Sequence, residues 1–228
     1  KELVRNQQIE NFTVAITDVQ KKGKGQHGKT WFSSPYKNLT FSVFTEFKEL
    51  LTKDQTYLNF AISLAVFDCL KKLKTPNLSI KWPNDILSGS KKISGILIEP
   101  NCRNTFIKTA IIGIGLNVNE EDFPKKIPKA TSLKKIHKNT FILEDVLQIL
   151  LKEIEYYIGL VNDVKFEYLE KKYLKELFKK DRVVTFSNKN DTIFSGIIKG
   201  VSKEGKLLVC VENQSLQAFS IKDIKLLF

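Results

Sequence analysis

The period of the apolar positions changes along the chain, and the changes mark out its elements. Phe12-Thr13-Val14-Ala15-Ile16 is a β-branched apolar run, and Leu39-Thr40-Phe41-Ser42-Val43-Phe44 alternates large apolar residues with small or polar ones, as a strand with one buried face requires. Behind it the period becomes helical to about Leu73, with Leu58, Ala61, Ile62, Ala65, Val66, Cys69 and Leu70 on one face and a capping box expected at Thr52-Lys53-Asp54-Gln55. Short strands are expected at Leu78 to Trp82, Ile86-Leu87, Ile93 to Ile98 and Phe106 to Val118, with turns at Pro83-Asn84-Asp85, Ser88-Gly89-Ser90 and Asn101 to Asn104. Amphipathic helices follow from about Leu143 to Leu160 and from Lys165 to Phe178. From Asp181 the texture is again that of short strands: Val183 to Phe186, Ile193 to Ile198, Leu207 to Val211 and Leu216 to Ile221. The pattern predicts an α+β protein, with a sheet backed by helices over residues 1–180 and a small β-barrel over residues 181–228.

Composition narrows this picture without redirecting it. The 228 residues are 42% apolar, enough for a sizeable core. The longest apolar run, Ala110 to Leu116, is far too short to span a bilayer, and no signal-peptide core is visible near Lys1, so a soluble, cytoplasmic protein without membrane contact is expected. Cys69, Cys102 and Cys210 lack any C-x-x-C spacing and the histidines are only His27 and His137, so neither a disulfide framework nor a zinc site is indicated. The net charge of +12 invites a nucleic-acid reading, but only Arg5, Arg103 and Arg182 are arginine among 37 basic residues. Lysine lacks the bidentate fork that base and phosphate recognition favours, so the charge reads as a residue bias that could still speed encounter with an acidic partner. The chain has no methionine, and Lys1-Glu2-Leu3-Val4 looks like the middle of a helix without an N-cap, so further residues are expected ahead of it.

The candidate chemistry starts at Lys21-Lys22-Gly23-Lys24-Gly25-Gln26-His27-Gly28-Lys29-Thr30-Trp31, which satisfies G-x-x-x-x-G-K-[ST] and G-x-G-x-x-G at once. Both patterns hold phosphate on the N–H groups of a helix that opens directly behind the loop. Here Trp31 to Asn38 is turn chemistry containing Pro35, and a strand pattern resumes at Leu39. A glycine-lysine loop between two strands is therefore neither phosphate motif. Taken alone, it reads as a solvated basic hairpin; its glycines nevertheless admit close backbone approach, its lysines meet anionic oxygens, and Trp31 could close over a ring system.

Three further clusters sit at turns or strand ends: Lys81-Trp82-Pro83-Asn84-Asp85, Lys91-Lys92-Ile93-Ser94-Gly95-Ile96-Leu97-Ile98-Glu99 and Ile112-Gly113-Ile114-Gly115-Leu116-Asn117-Val118-Asn119. Singly, each reads as surface cations, sheet bulges or turn caps. In this joint order, behind a glycine-basic loop ending in tryptophan, they closely resemble the biotin–protein ligases, from about residue 1 to the C-terminal barrel. The resemblance implies a class II synthetase-like catalytic domain with a mixed central sheet, an SH3-like C-terminal barrel, and ATP-dependent attachment of biotin to a lysine of a biotin carboxyl carrier protein by way of biotinyl-5′-AMP. It implies the short form without an N-terminal DNA-binding domain, hence no specific DNA, and allows a homodimer paired through sheet edges.

By the same matching, Lys92 stands at the catalytic lysine and contacts the carboxylate and α-phosphate oxygens, with Mg²⁺ offsetting the triphosphate charge. Gln20, Gly23, Lys24, Gly25, Gln26 and Gly95 fall to biotin together with Lys92; Asn84, Asp85 and Asn117 fall to the nucleotide, with Lys29 and Trp31 closing over the adenylate. Asp85 is open between three roles: positioning or deprotonating the incoming lysine, bridging a metal, or forming the turn. Two departures stand out. The family loop is commonly G-R-G-R-x-G-R-x-W, whereas Lys24, Gln26 and Lys29 occupy the arginine positions here, leaving Gln26 uncharged where a cation would retain the adenylate. The family's Ser-Thr-Asn biotin contact is expected just ahead of Lys1. The rival readings are a lipoate or octanoate ligase or transferase of the same architecture and, from charge alone, a non-catalytic nucleic-acid-binding module.

Overall fold

The computed structural model describes residues 9–28, 30–211 and 215–228; the helix reading at Lys1 to Val4 and the role given to Lys29 fall outside the described residues. The first elements are β1 (Val14–Ile16), the short hairpin of β2 (Gly23–Lys24) and β3 (Thr30–Trp31), and β4 (Leu39–Leu51). A 3₁₀ turn at Gln26–Gly28 lies inside the hairpin, and no helix opens behind it. After α1 (Gln55–Lys72) come β5 (Leu78–Lys81), β6 (Asp85–Ser88), β7 (Lys91–Arg103) and β8 (Phe106–Leu116). Three helices follow, α2 (Leu133–His137), α3 (Leu143–Asn162) and α4 (Phe166–Lys175), and then β9 (Val183–Asn188), β10 (Ile193–Val201), β11 (Leu207–Val211), β12 (Leu216–Phe219) and β13 (Ile224–Leu227).

The large sheet runs β1-β4-β8-β7-β6-β5 and the small one β12-β11-β10-β9-β13. The α+β expectation and the small C-terminal sheet are both found. The named strands pair antiparallel throughout, so the mixing expected of the large sheet reduces to isolated parallel bridges at Ile80–Leu177 and Lys92–Ala130. The pleat sorts the large sheet's residues. Phe41, Ile114 and Ile96 form one buried row, and Val43 and Ile112 with the partly buried Ile98 form another, both facing the helices. The opposite face carries Thr40, Ser42, Gly113, Gly115 and Gly95, a floor of small side chains.

α1 is the helix expected from the periodicity, but it is buried almost all round: besides the anticipated face, Phe60, Leu64 and Phe67 are also enclosed. The reason is a third layer. α3 and α4 cover its outer side, through Tyr57 stacked on Phe166 at 4.3 Å, Phe60 on Tyr173 at 4.1 Å, and the Tyr157 hydroxyl donating to Asp68 Oδ2 at 2.6 Å. The capping box is not formed. Thr52–Asp54 is a 3₁₀ turn whose Thr52 N–H donates to Thr105 O at 2.8 Å, and no side chain caps α1. The turn expected at Asn101 to Asn104 is likewise later than predicted: ladder bonds to β8 carry β7 through an irregularity at Asn101–Cys102 to Arg103, and the turn falls at Asn104, with φ 55°.

The small sheet extends the same core, since Phe186, Ile198, Val209 and Ile224 join one contiguous apolar cluster with the residues of the large sheet and α1. A direct link is the Trp82 indole N–H, which donates to Gly205 O at 2.9 Å in the β10–β11 turn. No helix among the described residues is long and apolar enough to cross a membrane.

Candidate active site

Two adjoining cavities lie on the small-residue face of the large sheet. The smaller, of about 270 Å³, is lined by Thr40, Ser42, Gly95, Gly113, Gly115 and Leu97 of the floor and by Gln20, Lys22, Lys24, Gly25 and Gln26 of the glycine loop. The larger, of about 1070 Å³, opens between the large sheet, the 123–130 loop and the small sheet, and Lys81, Asn84, Asp85 and Asn117 line it. Gly25, Gln26, Trp31, Asn84 and Lys92 border both, so they form the partition.

The alternation of the sequence explains the floor. In Ile112-Gly113-Ile114-Gly115 the isoleucines serve the core and the glycines leave the other face bare, and Thr40 and Ser42 do the same on β4. The bareness is used by Trp31. A Cβ added at Gly115 would lie 2.3 Å from Trp31 Cε2, and one at Gly95 would lie 3.0 Å from Trp31 Cζ3 and 2.9 Å from Lys92 Nζ. The indole therefore rests on two glycines. Its own N–H, buried, meets no acceptor among the described residues. Gly23 lines neither cavity; it is buried behind the loop, where an added Cβ would come within 2.5 Å of Gln20 Oε1 and 2.6 Å of Trp31 O, so it fixes how closely Gln20 and Trp31 approach.

Lys92 reaches this partition because of a β-bulge. Asp85 pairs with Gly95 and Ile86 with Ser94, but Leu87 pairs with Lys92, leaving Ile93 as the extra residue. Without the bulge, Lys92 and Gly95, three apart, would face opposite ways; with it both share the face of Asp85. Lys92 Nζ lies 2.6 Å from Asp85 Oδ1 and 5.4 Å from the Trp31 ring centroid, and Lys81 Nζ lies 3.7 Å from Asp85 Oδ2. The Lys92 main chain is held on its free side too: its N–H donates to Lys129 O at 2.6 Å, and its carbonyl accepts from Thr131 N at 2.9 Å. Asn117 donates from Nδ2 to Thr131 O at 2.9 Å, while its buried Oδ1 has no donor among the described residues. Asn84 donates from Nδ2 to Ile96 O, and its carbonyl accepts from Ile96 N at 3.2 Å. The asparagines thus fasten the site's loops to its strands. An ordered indole N–H and an amide oxygen left without partners beside empty space are groups that a bound ligand would satisfy.

The structure divides the expected residues only in part. Gln20, Lys24 and Gly95 line the smaller cavity alone, Asp85 and Asn117 the larger alone, and Gly25, Gln26, Trp31, Asn84 and Lys92 line both. Sequence reasoning left Thr40, Ser42, Gly113 and Gly115 without a role, although their two-residue spacing on strands of large apolar residues marked them. It also missed Glu120, whose side chain is fully buried. Its carboxylate accepts from Ser34 N at 3.1 Å, Asn38 Nδ2 at 3.2 Å and Lys37 Nζ at 3.4 Å, and its carbonyl from the Ser132 hydroxyl, tying the segment behind Trp31 to the start of α2. Burial pushes the Glu120 carboxyl up, but the Ser34 hydrogen bonds, Asn38 and the Lys37 charge outweigh it and hold the group below its ordinary value.

Known proteins share this fold. Residues 1–117 match the biotin/lipoate A/B protein ligase family. Biotin–protein ligase 2 of Arabidopsis thaliana is 30% identical over 86% of this chain and 61% of its own length, and the biotin–[acetyl-CoA-carboxylase] ligase of Mycobacterium tuberculosis is 30% identical over 62% of this chain and 52% of its own. The chain thus spans about half to three-fifths of the length of these curated relatives. Among solved structures, the biotin protein ligase of Aquifex aeolicus in complex with biotin and ATP superposes with a TM-score of 0.79 at 26% identity, over 99% of this chain and 93% of that one. With a family match over more than half its residues and a fold shared almost end to end, the chain belongs to the biotin/lipoate A/B protein ligase family.

Proposed function

We propose that this chain activates biotin with ATP as biotinyl-5′-AMP and transfers the biotinyl group to a lysine of a biotin carboxyl carrier protein. What supports the reading is Lys92, whose ammonium stands in the wall common to a small cavity and a large one. A carboxylate is a poor acyl donor and must first be joined to a phosphorus centre. Two anions must then be brought together, and a cation reaching both lowers that barrier most in a partly enclosed site.

In this reading the smaller cavity takes biotin, with Gln20, Lys24, Gly25, Gln26 and Gly95 and with Gly23 acting from behind the loop by setting how closely Gln20 and Trp31 approach, and the larger takes ATP, with Trp31, Asn84, Asp85 and Asn117, joined by Lys29. A biotin carboxylate oxygen bonds to the α-phosphorus while the bond to the bridging oxygen breaks, and its electron pair leaves with pyrophosphate. The carrier amine then adds to the acyl carbon and AMP departs. Asp85, 2.6 Å from Lys92, is placed to orient that amine or accept its proton. Mg²⁺ would offset triphosphate charge. Among the described residues no three His, Cys, Asp or Glu side chains converge to cage an ion, so its ligands would be phosphate oxygens, with Asp85 the acid beside them. Residues 1–180 would form the catalytic unit and 181–228 the barrel that walls the nucleotide side; pairing of two copies through a sheet edge is compatible with this assignment.

The test is exchange of labelled pyrophosphate into ATP, measured with biotin, lipoate and octanoate in turn. Exchange that requires biotin bears the proposal out; exchange with lipoate or octanoate alone moves the protein to the other branch of its family.

A further inference from the structure

Residues 34–38, between Trp31 and β4, turn three donors onto one side chain. Glu120 Oε2 accepts from Ser34 N at 3.1 Å and Asn38 Nδ2 at 3.2 Å, and Oε1 accepts from Lys37 Nζ at 3.4 Å. The same segment is fastened to the residues just before Glu120, since Val118 N donates to Asn38 Oδ1 at 3.0 Å and Asn119 N to Lys37 O at 2.7 Å. The Glu120 side chain is fully enclosed and all three partners are donors, so an acceptor-only group is required there. A carboxylate meets that need, whereas an amide would turn its own N–H groups against one of the donors.

The main chain of Glu120 serves a different segment. Its carbonyl accepts from the Ser132 hydroxyl, which also takes Lys135 N at 3.1 Å as the cap of α2. Ser132 belongs to a strap, residues 129–134, that runs against the site. Lys129 O and Thr131 N bracket the main chain of Lys92 at 2.6 and 2.9 Å, Thr131 O accepts from Asn117 Nδ2 at 2.9 Å, and Lys134 N donates to Val118 O at 2.8 Å. Glu120 is thus a residue at which the segment behind Trp31 and the strap along Lys92 meet. Trp31 lies on Gly115 and Gly95 with Lys92 Nζ 5.4 Å from its ring, so the relative placement of these two segments sets the gap between indole and ammonium.

We propose that Glu120 is a positioning residue for adenylation: through Ser34 it fixes the segment that carries Trp31, through Ser132 it fixes the strap that holds Lys92, and so it keeps the indole and the ammonium in register. The inference rests on the adenylation reading above and adds to it a group that touches neither substrate. Joining two bound anions tolerates little error in placement, and a displacement of about 1 Å can slow such a step about a hundredfold. Each substrate alone is held mainly by its own cavity, so its affinity depends less on that register. Loss of the Glu120 link therefore shows in how fast bound acid and bound ATP react, more than in how tightly each is held.

The experiment follows a single turnover on the full chain, with protein in excess over biotin and ATP saturating, and times adenylate formation after rapid mixing. The Kd of biotin alone and of ATP alone are measured beside it. A rate constant is read rather than an amplitude, so unfolded protein in the sample does not enter it. Glu120→Gln is expected to lower the rate constant about tenfold or more, with both Kd values within about threefold of the unaltered protein. Ser132→Ala cuts the link at its other end and leaves the carboxylate cluster whole; it is expected to do the same, and it decides the matter where Glu120→Gln does not fold. Glu121→Gln, exposed and paired with Lys134 at 2.7 Å, should leave the rate constant unchanged. An unchanged rate constant in Glu120→Gln, or in Ser132→Ala where that protein does not fold, overturns the proposal, as does a loss that appears in both Kd values as strongly as in the rate. If lipoate or octanoate, and not biotin, is activated, the adenylation reading changes its substrate, and the same variants are compared with that acid.

Discussion

Lys92 Nζ and Asp85 Oδ1 lie 2.6 Å apart across a bulge that exists to bring them together. Their ion pair is partly open to water, with the lysine side chain 36% and the aspartate 19% exposed, so it contributes about 1 kcal/mol or less to stability. Its value lies in holding the ammonium at the partition. Lys92→Ala is therefore expected to lower adenylation about 10²–10³-fold with little change in melting temperature, checked by pyrophosphate exchange alongside thermal unfolding. Comparable losses of stability and rate would show instead that the lysine serves the fold.

The glycine floor makes a second prediction. At Gly115 a methyl group has no room, because the nearest atom is in the Trp31 ring at 2.3 Å rather than at the tip of a flexible chain. Gly115→Ala is expected to push Trp31 off the floor, raising the KM for the acid substrate about tenfold or more and shifting the tryptophan fluorescence of the empty protein. Gly113→Ala is the control: its added Cβ meets nothing closer than Leu97 O at 3.5 Å, an ordinary contact, and it should leave the fluorescence unchanged.

Glu120 gives a pH dependence whose sign follows from its partners. Its carboxyl is held below the ordinary 4.5 in the folded protein, so the stabilisation is complete above about pH 4.5 and is lost as the pH falls through the folded-state value. Glu120→Gln should cost about 1–3 kcal/mol at neutral pH, since Ser34 N, Asn38 and Lys37 lose a charged acceptor. Denaturant unfolding of the two proteins should give parallel stability curves above about pH 5 and converging ones below 4.5.

The small sheet should report on the turn that presents Asn84 and Asp85. The Trp82 indole donates to Gly205 O, and Gly205 sits at φ 80° with an added Cβ 3.1 Å from Thr56 Oγ1. Trp82→Phe removes that donor and is expected to cost about 1 kcal/mol. Gly205→Ala acts on the same contact through backbone strain, and should destabilise by a similar amount in thermal unfolding.

The parts of this protein that could be read from sequence are those whose signal is local. The alternation on β4 and the helical period of α1 depend on residues a few places apart, and both elements were found where expected. So was the absence of a helix behind Thr30, which rests on Pro35 and the strand pattern from Leu39. The site residues became legible only through the joint order of four motifs, because Lys81, Lys92 and Asn117 taken singly look like ordinary surface or turn residues. What stayed hidden depends on partners distant in sequence. The bulge at Ile93 is defined only against β6, the burial of Phe60 and Phe67 only against α3 and α4, and the Glu120 cluster joins residues more than 80 positions apart. The failed capping box is the clearest case: Thr52 gives its N–H to Thr105, a competitor that no window around residue 52 contains.

Gln26 carries the last prediction. It borders both cavities, within the 3₁₀ turn of the glycine loop, and so it faces the junction where an acyl-adenylate would carry its phosphate. A neutral amide there offers hydrogen bonds but no charge, whereas a guanidinium would add a charge-assisted, bidentate contact to the phosphate. Gln26→Arg is therefore expected to slow release of the bound adenylate by about tenfold, without a matching change in the rate at which it forms. The measurement is a chase: adenylate formed on the protein from labelled biotin and ATP is diluted into excess unlabelled biotin, and retained label is followed in time. Faster release from the arginine form would mean that the turn does not present residue 26 to the phosphate, and that the lysines at Lys24 and Lys92 hold the intermediate without it.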